Sequence, residues 1–470
     1  MNTLIKNGNI IAEDKQFIGD IFIEDGIISE IGININKDAD EIIDASNKIV
    51  VPGAIDAHTH LNIHMGDIVA KDDFYTGTVA AACGGTTTIV DHMGFGPKGC
   101  NLHHQLGVYH GYARNNSVID YSFHGVIQHV DDNILNEMEE MVKEEGIASF
   151  KIYLTYDNKV SDEEALKVLI RLKELGAITT VHCENDGVIN YLRNLFVKEG
   201  KTQPIYHALS RPEESEAEAV NRMISLATVA GDAPLYIVHV SCEKSMEHIV
   251  KAQQEGKNVM AETCPQYLFL DEDKYREKNL QGLKYIMSPP LRKKENQGLL
   301  WNNIVNKNIQ VVATDHCPFD FNGDKQRGKD DFTKCPNGGP GIETRIPLMF
   351  SEGVMKGKIN IRDFVDIVST NPAKIFGLYP KKGVIREGSD ADIVIIDKNK
   401  EFTLSKAMLH ENVDYTPYEG IRLKGYPVLT MVRGKVIVVD NVFIGKKGYG
   451  EFIKRSTNRV ISRNHNALDY

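Results

Sequence analysis

Two histidines stand one residue apart in Ile55-Asp56-Ala57-His58-Thr59-His60, just after the Pro52-Gly53 that closes an apolar run. On a β-strand side chains alternate faces, so His58 and His60 point the same way and can grip one ion. By itself the pair reads more readily as two half-buried strand histidines than as ligands. His182, His239 and Asp315 follow at the ends of later apolar runs. Together these histidines and the aspartate suit one or two zinc-like divalent ions. Lys151 is the odd member, set inside the apolar run Ser149-Phe150-Lys151-Ile152-Tyr153-Leu154. An ammonium beside divalent cations is unfavourable. Either the lysine reaches solvent or a carboxylate, or its neutral amine has reacted with carbon dioxide. The resulting carbamate is an anionic oxygen ligand able to bridge two ions, and a desolvated barrel interior favours the neutral amine it needs.

These residues meet only if a fold gathers distant segments. From Gly53 onward apolar runs alternate with helical stretches, which predicts a parallel α/β architecture. Strands are expected over 54–60, 86–92, 119–127, 148–154, 178–182, 235–240, 259–264 and 311–315. They fit a (β/α)8 TIM-like barrel, whose strands turn their carboxyl ends to one face where the active site lies. Helices are expected over 163–175, stopped by Gly176, and over 214–230, stopped by Gly231.

Both ends of the chain read as β. Short strands at 3–6, 20–24, 27–31 and 48–51 precede the barrel, with Asp25-Gly26 as a hairpin turn. Further strands at 383–385, 391–397 and 429–438 follow it. The economical reading is a small β-sandwich domain built from both termini, 1–52 plus 381–450, with the barrel of 53–380 inserted between. Residues 451–470 carry Lys454, Arg455, Arg459 and Arg463 and read as a C-terminal tail, either a solvated end or a contributor to subunit contacts.

At 470 residues the chain can bury a large core, and its 42% hydrophobic and 25% charged residues are ordinary for a globular protein. A formal net charge of -11 argues against a general nucleic-acid or anionic-membrane surface. No apolar run is long enough to span a bilayer, and the first residues lack the apolar stretch of a signal peptide, so a cytoplasmic protein is expected. Seven scattered cysteines without a Cys-x-x-Cys pair read as reduced thiols. Cys183 follows His182 directly and so faces the other way on a strand. For Cys242 and Cys317 alternation decides nothing; histidines and the aspartate suffice without them.

At this point the residues resemble a known family, the cyclic amidohydrolases of the dihydropyrimidinase and hydantoinase group. The matching stretches are 52–60, Gly84-Gly85-Thr86-Thr87-Thr88, Ser149-Phe150-Lys151, 180–185, Val238-His239-Val240-Ser241, Ser288-Pro289-Pro290-Leu291-Arg292, 313–318 and 337–343, in family order over most of the barrel. The resemblance implies hydrolysis of a cyclic amide bond in a hydantoin or dihydropyrimidine ring, giving an N-carbamoyl amino acid. It implies two divalent ions, zinc by default, held by His58, His60 and Asp315 on one side and His182 and His239 on the other. A carbamate on Lys151 and a hydroxide would bridge them. The hydroxide would attack the ring carbonyl, Asp315 would shuttle its proton to the leaving nitrogen, and Tyr156 would hydrogen-bond the oxyanion. Ser288 and Asn337 would hold the cyclic imide edge, largely through backbone groups. A small cyclic ureide or imide as the partner and a homotetramer are also implied.

Without that resemblance Tyr156 is a loop aromatic, Ser288 a turn residue before two prolines and Asn337 a turn former before two glycines. His64 and Phe95 lie in loops after the first two strands, where selection of the ring substituent is expected. The remaining histidines, among them His92 and His316, have no assigned role. Dihydroorotases and allantoinases are the enzymatic rivals. Asn62 stands where dihydroorotases place a carboxylate-binding arginine, and Phe319 where both rivals commonly place a histidine. A non-catalytic scaffold of the same fold is the rival of another class, and it would have lost metal ligands that are all present here.

Overall fold

The computed structural model describes residues 2–457; Arg459 and Arg463 lie outside them. Eight parallel strands stand side by side in chain order: Ala54–Thr59, Thr86–His92, Asp120–Val126, Ser149–Tyr153, Ile178–His182, Leu235–Ile237, Val259–Thr263 and Val311–Val312. The eighth returns to the first. Asp315 N–H donates to the His58 carbonyl and His60 N–H to the His316 carbonyl, each at 2.9 Å. Side chains sew the same seam. Thr314 donates its hydroxyl to Asp56 at 2.7 Å, and the buried Arg345 guanidinium donates to the carbonyls of Ile55 and Val312 at 2.9 Å each.

The sixth and eighth strands stop earlier than the apolar runs predict. His239 and Asp315 have φ of 39° and 55°, a left-handed backbone through which no ladder continues. The helices sit within one residue of expectation. Asp162–Glu174 begins at Ser161, whose hydroxyl and Glu164 form a reciprocal capping box, and its buried Ala165, Val168, Leu169 and Leu172 recur at helical spacing. It ends at Gly176 with φ 68°, and Glu213–Val229 ends before Gly231 with φ 79°.

The termini build one sheet of nine strands. Asn2–Ile11 pairs with Gln16–Glu24 along one edge and with Glu41–Asp44 and Ile49–Pro52 along the other. Ile49–Pro52 then pairs with Ile393–Thr403, which joins the two halves of the chain. Ile5, Ile21, Val50, Ile393 and Met431 share one apolar core, so neither terminus buries its face alone. Asp25 and Gly26 have φ of 49° and 84°, the two positive values that a tight hairpin turn needs. Residues 383–385 form no strand: Gly383 turns the chain at φ 84°, and Ile385 instead packs into the sheet core.

Residues 451–456 are not a free tail. Tyr121 N–H donates to the Glu451 carbonyl at 2.9 Å and Ile453 N–H to the Tyr121 carbonyl at 2.8 Å, which binds this segment to the start of the third barrel strand. Arg455 is only 4% exposed and donates to Ser122 Oγ, to the Phe376 carbonyl and to the Phe123 carbonyl. The basic composition that suggested solvation hides one fully committed guanidinium, while Lys454 does remain at the surface.

Candidate active site

The first strand delivers His58 and His60 to the carboxyl end of the barrel, and Asp91 on the second strand holds the residues between and after them. Its Oδ2 accepts the Thr59 hydroxyl at 2.6 Å and the Leu61 N–H at 2.9 Å. Nε2 of His58 and Nε2 of His60 both face Asp315 Oδ1, at 3.1 and 3.0 Å. The other ring nitrogen of His58 donates to Glu262 Oε1 at 2.6 Å, because a carboxylate can only accept. His239 joins His58 and Asp315 in a group whose donor atoms lie within 4.8 Å of one another. His182 is next, its ring centroid 4.6 Å from that of His239.

Electrostatics match a site built for cations. Burial alone would lower His58, but Glu262 and Asp315 raise it to about 8. Burial drops His60 to about 4 and lowers His182 and His239, so these rings are neutral and can ligate. Burial would raise Asp315, yet His58 and His60 hold it well below the usual carboxylate range. His239 Nδ1 is buried without a hydrogen-bond partner. Neutral His60, His182 and His239 around an ionised carboxylate, with a buried nitrogen unsatisfied, are the donor set a divalent cation completes, and a cation there would displace the His58 proton.

Lys151 is 1% exposed on the fourth strand, and burial brings its amine down to about 8. Its Nζ lies 5.2 Å from the centroid of the Tyr153 ring. It reaches neither solvent nor, among the described residues, a carboxylate partner; the neutral amine that carbamylation requires is accessible near neutral pH. Tyr156 follows that strand with φ 76°, half-buried, its ring 5.3 Å from His182 and 5.8 Å from the Arg211 guanidinium. Burial pushes its phenol up, which keeps it a hydrogen-bond donor, and the Ser288 hydroxyl lies beside it. Ser288 and Asn337 sit on two loops joined by a bond from Gly338 N–H to the Ile286 carbonyl at 3.0 Å.

Cys183, Cys242 and Cys317 are buried and unpaired, and burial pushes each thiol up, so none offers a thiolate. Phe95 packs 5.3 Å from Tyr153 on the aromatic wall that continues to Tyr156, whereas His64 lies outside on a short hairpin, its ring 6.1 Å from that of Tyr112. Asn62 spends its side-chain carbonyl on the Phe74 N–H at 2.9 Å, and Phe319 is fully buried against Ala70 and Cys317.

Three residues went unassigned in the sequence. Glu262 orients His58, and Glu184 does the same for His182, accepting Nε2 at 2.8 Å and Arg211 at 2.5 Å. Burial would raise Glu184, but Arg211 holds it down at about 2. His92 ends the second strand with its ring 4.3 Å from that of His58 and both nitrogens without hydrogen-bond partners. The signals existed: His182-Cys183-Glu184 has the same one-face spacing as His58-Thr59-His60, and Glu262 and His92 lie near the ends of apolar strands.

The amidohydrolase family model matches residues 49–437. The chain is 52% identical over 456 residues to a D-phenylhydantoinase of Escherichia coli O1:K1 / APEC, covering 97% of this chain and 98% of that one. The crystal structure of dihydropyrimidinase from Brevibacillus agri NCHU1002 superposes with a TM-score of 0.96 at 46% identity, covering 98% of this chain and 100% of that one. D-hydantoinase from Bacillus sp. AR9 gives 0.95 at 45% identity, covering 97% and 100%. With the barrel, the histidine and aspartate cluster and these relatives in agreement, the chain belongs to the amidohydrolase family, in its hydantoinase and dihydropyrimidinase branch.

Proposed function

We propose that this protein opens a hydantoin or dihydropyrimidine ring by hydrolysing its cyclic amide bond, releasing an N-carbamoyl amino acid. The observation that carries the reading is the convergence of His58 and His60 on Asp315, with His239, His182 and the buried Lys151 amine around them. His58, His60 and Asp315 would hold one divalent ion and His182 and His239 a second, zinc in both cases, with Lys151 as a carbamate between. Bound there, the ions supply Lewis acidity that activates water and polarises the ring carbonyl.

The chain's own groups do the rest. Asp315, ionised and within reach of both first-strand histidines, accepts the proton of the attacking water and returns it to the ring nitrogen as the C–N bond breaks. Tyr156, kept protonated by burial, donates to the carbonyl oxygen as it gains charge. Ser288 and Asn337 hold the imide edge so that the carbonyl faces the histidine cluster. Asn62 and Phe319, committed to their own loops, supply neither the arginine that would hold a dihydroorotate carboxylate nor the histidine that dihydroorotases and allantoinases commonly carry, which favours this reading over both. The protein works in this reading as a cytoplasmic homotetramer, which sedimentation would register as four chain masses. No helix among the described residues is long and apolar enough to cross a membrane.

Rates on hydantoin, 5-phenylhydantoin, dihydrouracil, dihydroorotate and allantoin, with and without added zinc, manganese or cobalt, test the proposal. Ring opening of the first three is expected, falling by about 10³ in Asp315→Asn. Near-zero metal after chelator-free purification, with no ring opened, would leave the scaffold reading instead.

A further inference from the structure

Lys325 is a buried ammonium without a carboxylate partner among the described residues. It is fully buried in a short 3-10 helix, Asp324–Gly328, and donates to three carbonyls: Ile286 at 2.7 Å, Pro336 at 2.8 Å and Gly338 at 2.6 Å. Those carbonyls bracket the two loops assigned to the substrate's imide edge. Ile286 lies two residues before Ser288, while Pro336 and Gly338 flank Asn337. Phe319 turns its ring toward the same ammonium, 6.0 Å from the centroid.

A buried charge is tolerated when hydrogen bonds satisfy it fully, and three converging carbonyls do so for an ammonium. Everything around the cradle is fixed. Gly338 N–H bonds the Ile286 carbonyl at 3.0 Å, and a side chain at Gly338 would meet the Cys317 carbonyl at 2.3 Å. Lys325 N–H is held by the Asp320 carbonyl at 3.1 Å, and Arg327 reaches Asp67 at 2.9 Å. The ammonium also acts through the peptide bonds. The ammonium on the carbonyl of Pro336 polarises the peptide whose N–H belongs to Asn337, and on that of Gly338 the peptide whose N–H belongs to Gly339, strengthening both as donors.

We propose that Lys325 is a positioning residue for substrate: its ammonium locks the Ser288 and Asn337 loops together and sharpens the backbone donors that grip the ring's imide edge. This rests on the ring-opening function proposed above. Since Lys325 touches neither the ligand cluster nor the scissile bond, its loss acts on binding more than on chemistry.

Lys325→Met, which keeps the apolar stem without the charge, is expected to raise KM for 5-phenylhydantoin about tenfold or more, with kcat within about threefold and metal content unchanged. Peptides covering 284–291 and 335–342 are expected to lose hydrogen-exchange protection. In Lys325→Ala, methylammonium chloride is expected to lower KM again and methanol, of the same size but uncharged, to leave it high, a difference that a packing role alone does not produce. Should Lys325→Met fail to fold, Lys325→Gln, which can still donate to two carbonyls, is expected to show an intermediate KM. A folded, metal-loaded variant with wild-type KM and wild-type protection overturns the proposal. If the wild type opens no ring at all, the exchange experiment still decides: lost protection keeps the loop lock and discards the substrate assignment, and unchanged protection discards both.

Discussion

Glu262 Oε1 accepts the His58 ring N–H at 2.6 Å and the His239 backbone N–H at 3.0 Å, while Tyr236 donates its hydroxyl to Oε2 at 2.8 Å. One buried carboxylate on the seventh strand thus fixes the tautomer of a first-strand histidine and the turn that carries a sixth-strand one.

Glu262→Gln removes the negative charge and leaves the volume. Metal affinity is expected to fall about 10–100-fold, the usual cost of losing a group that orients a ligating histidine. Competition against a chelator followed by metal analysis measures it, and a wild-type dissociation constant would contradict the role.

Phe95 shares the aromatic wall with Tyr153 and Tyr156, whereas His64 stands exposed on its hairpin beside Tyr112. Phe95→Ala is expected to change the kcat/KM ratio of 5-phenylhydantoin to hydantoin about tenfold without loss of metal. His64→Ala should shift it less. An unchanged preference profile in Phe95→Ala would remove that wall from substrate selection.

Glu411 is a buried carboxyl faced by His316 Nδ1 at 3.8 Å, with Glu343 and Asp72 nearby. Burial raises it from 4.5 to about 7, with His316 opposing and the two carboxylates adding to the rise. The folded state therefore holds a proton that the unfolded state has released between about pH 4.5 and 7. Stability contributed by this group is full below that window and is lost as the pH climbs through it. Glu411→Gln abolishes the titration and is expected to stabilise the fold on the order of 3 kcal/mol at pH 8 relative to wild type, with no gain at pH 4. Denaturant unfolding at both pH values checks the sign.

Arg455 satisfies two main-chain carbonyls and Ser122 at the start of the barrel's third strand. Arg455→Met keeps much of the stem and orphans those acceptors, so a loss of roughly 2–4 kcal/mol is expected, seen as a lower Tm with metal content intact. A wild-type Tm would mean that the Arg455 hydrogen bonds are dispensable for stability.

His58, His60, His182, His239 and Asp315 were legible as candidates because each sits at or just past the end of an apolar run, and Lys151 because it interrupts one; a closed parallel barrel converts those local facts into a shared location. Glu262 and His92 carried the same signal, but a lone acidic or histidine residue in a strand has no spacing partner to single it out; Glu184 had one in His182, two residues before it. Arg211 and Lys325 had none at all. Their partners lie 27 residues away for Glu184 and 39 for the Ile286 carbonyl, and the latter is a main-chain group that any residue supplies.

Periodicity, turn residues and helix stops are local, so the chain itself determined the alternation of strands and helices, the β character of both ends and the histidine, lysine and aspartate inventory of the site. What tertiary structure decided depends on closure: that Asp315 meets both His58 and His60 across the seam, that the last basic residues include a buried Arg455, and that Lys325 ties two loops by their carbonyls. Such contacts are set by how the barrel shuts and by hydrogen bonds to backbone groups, which are identical at nearly every residue and so leave no mark in the sequence.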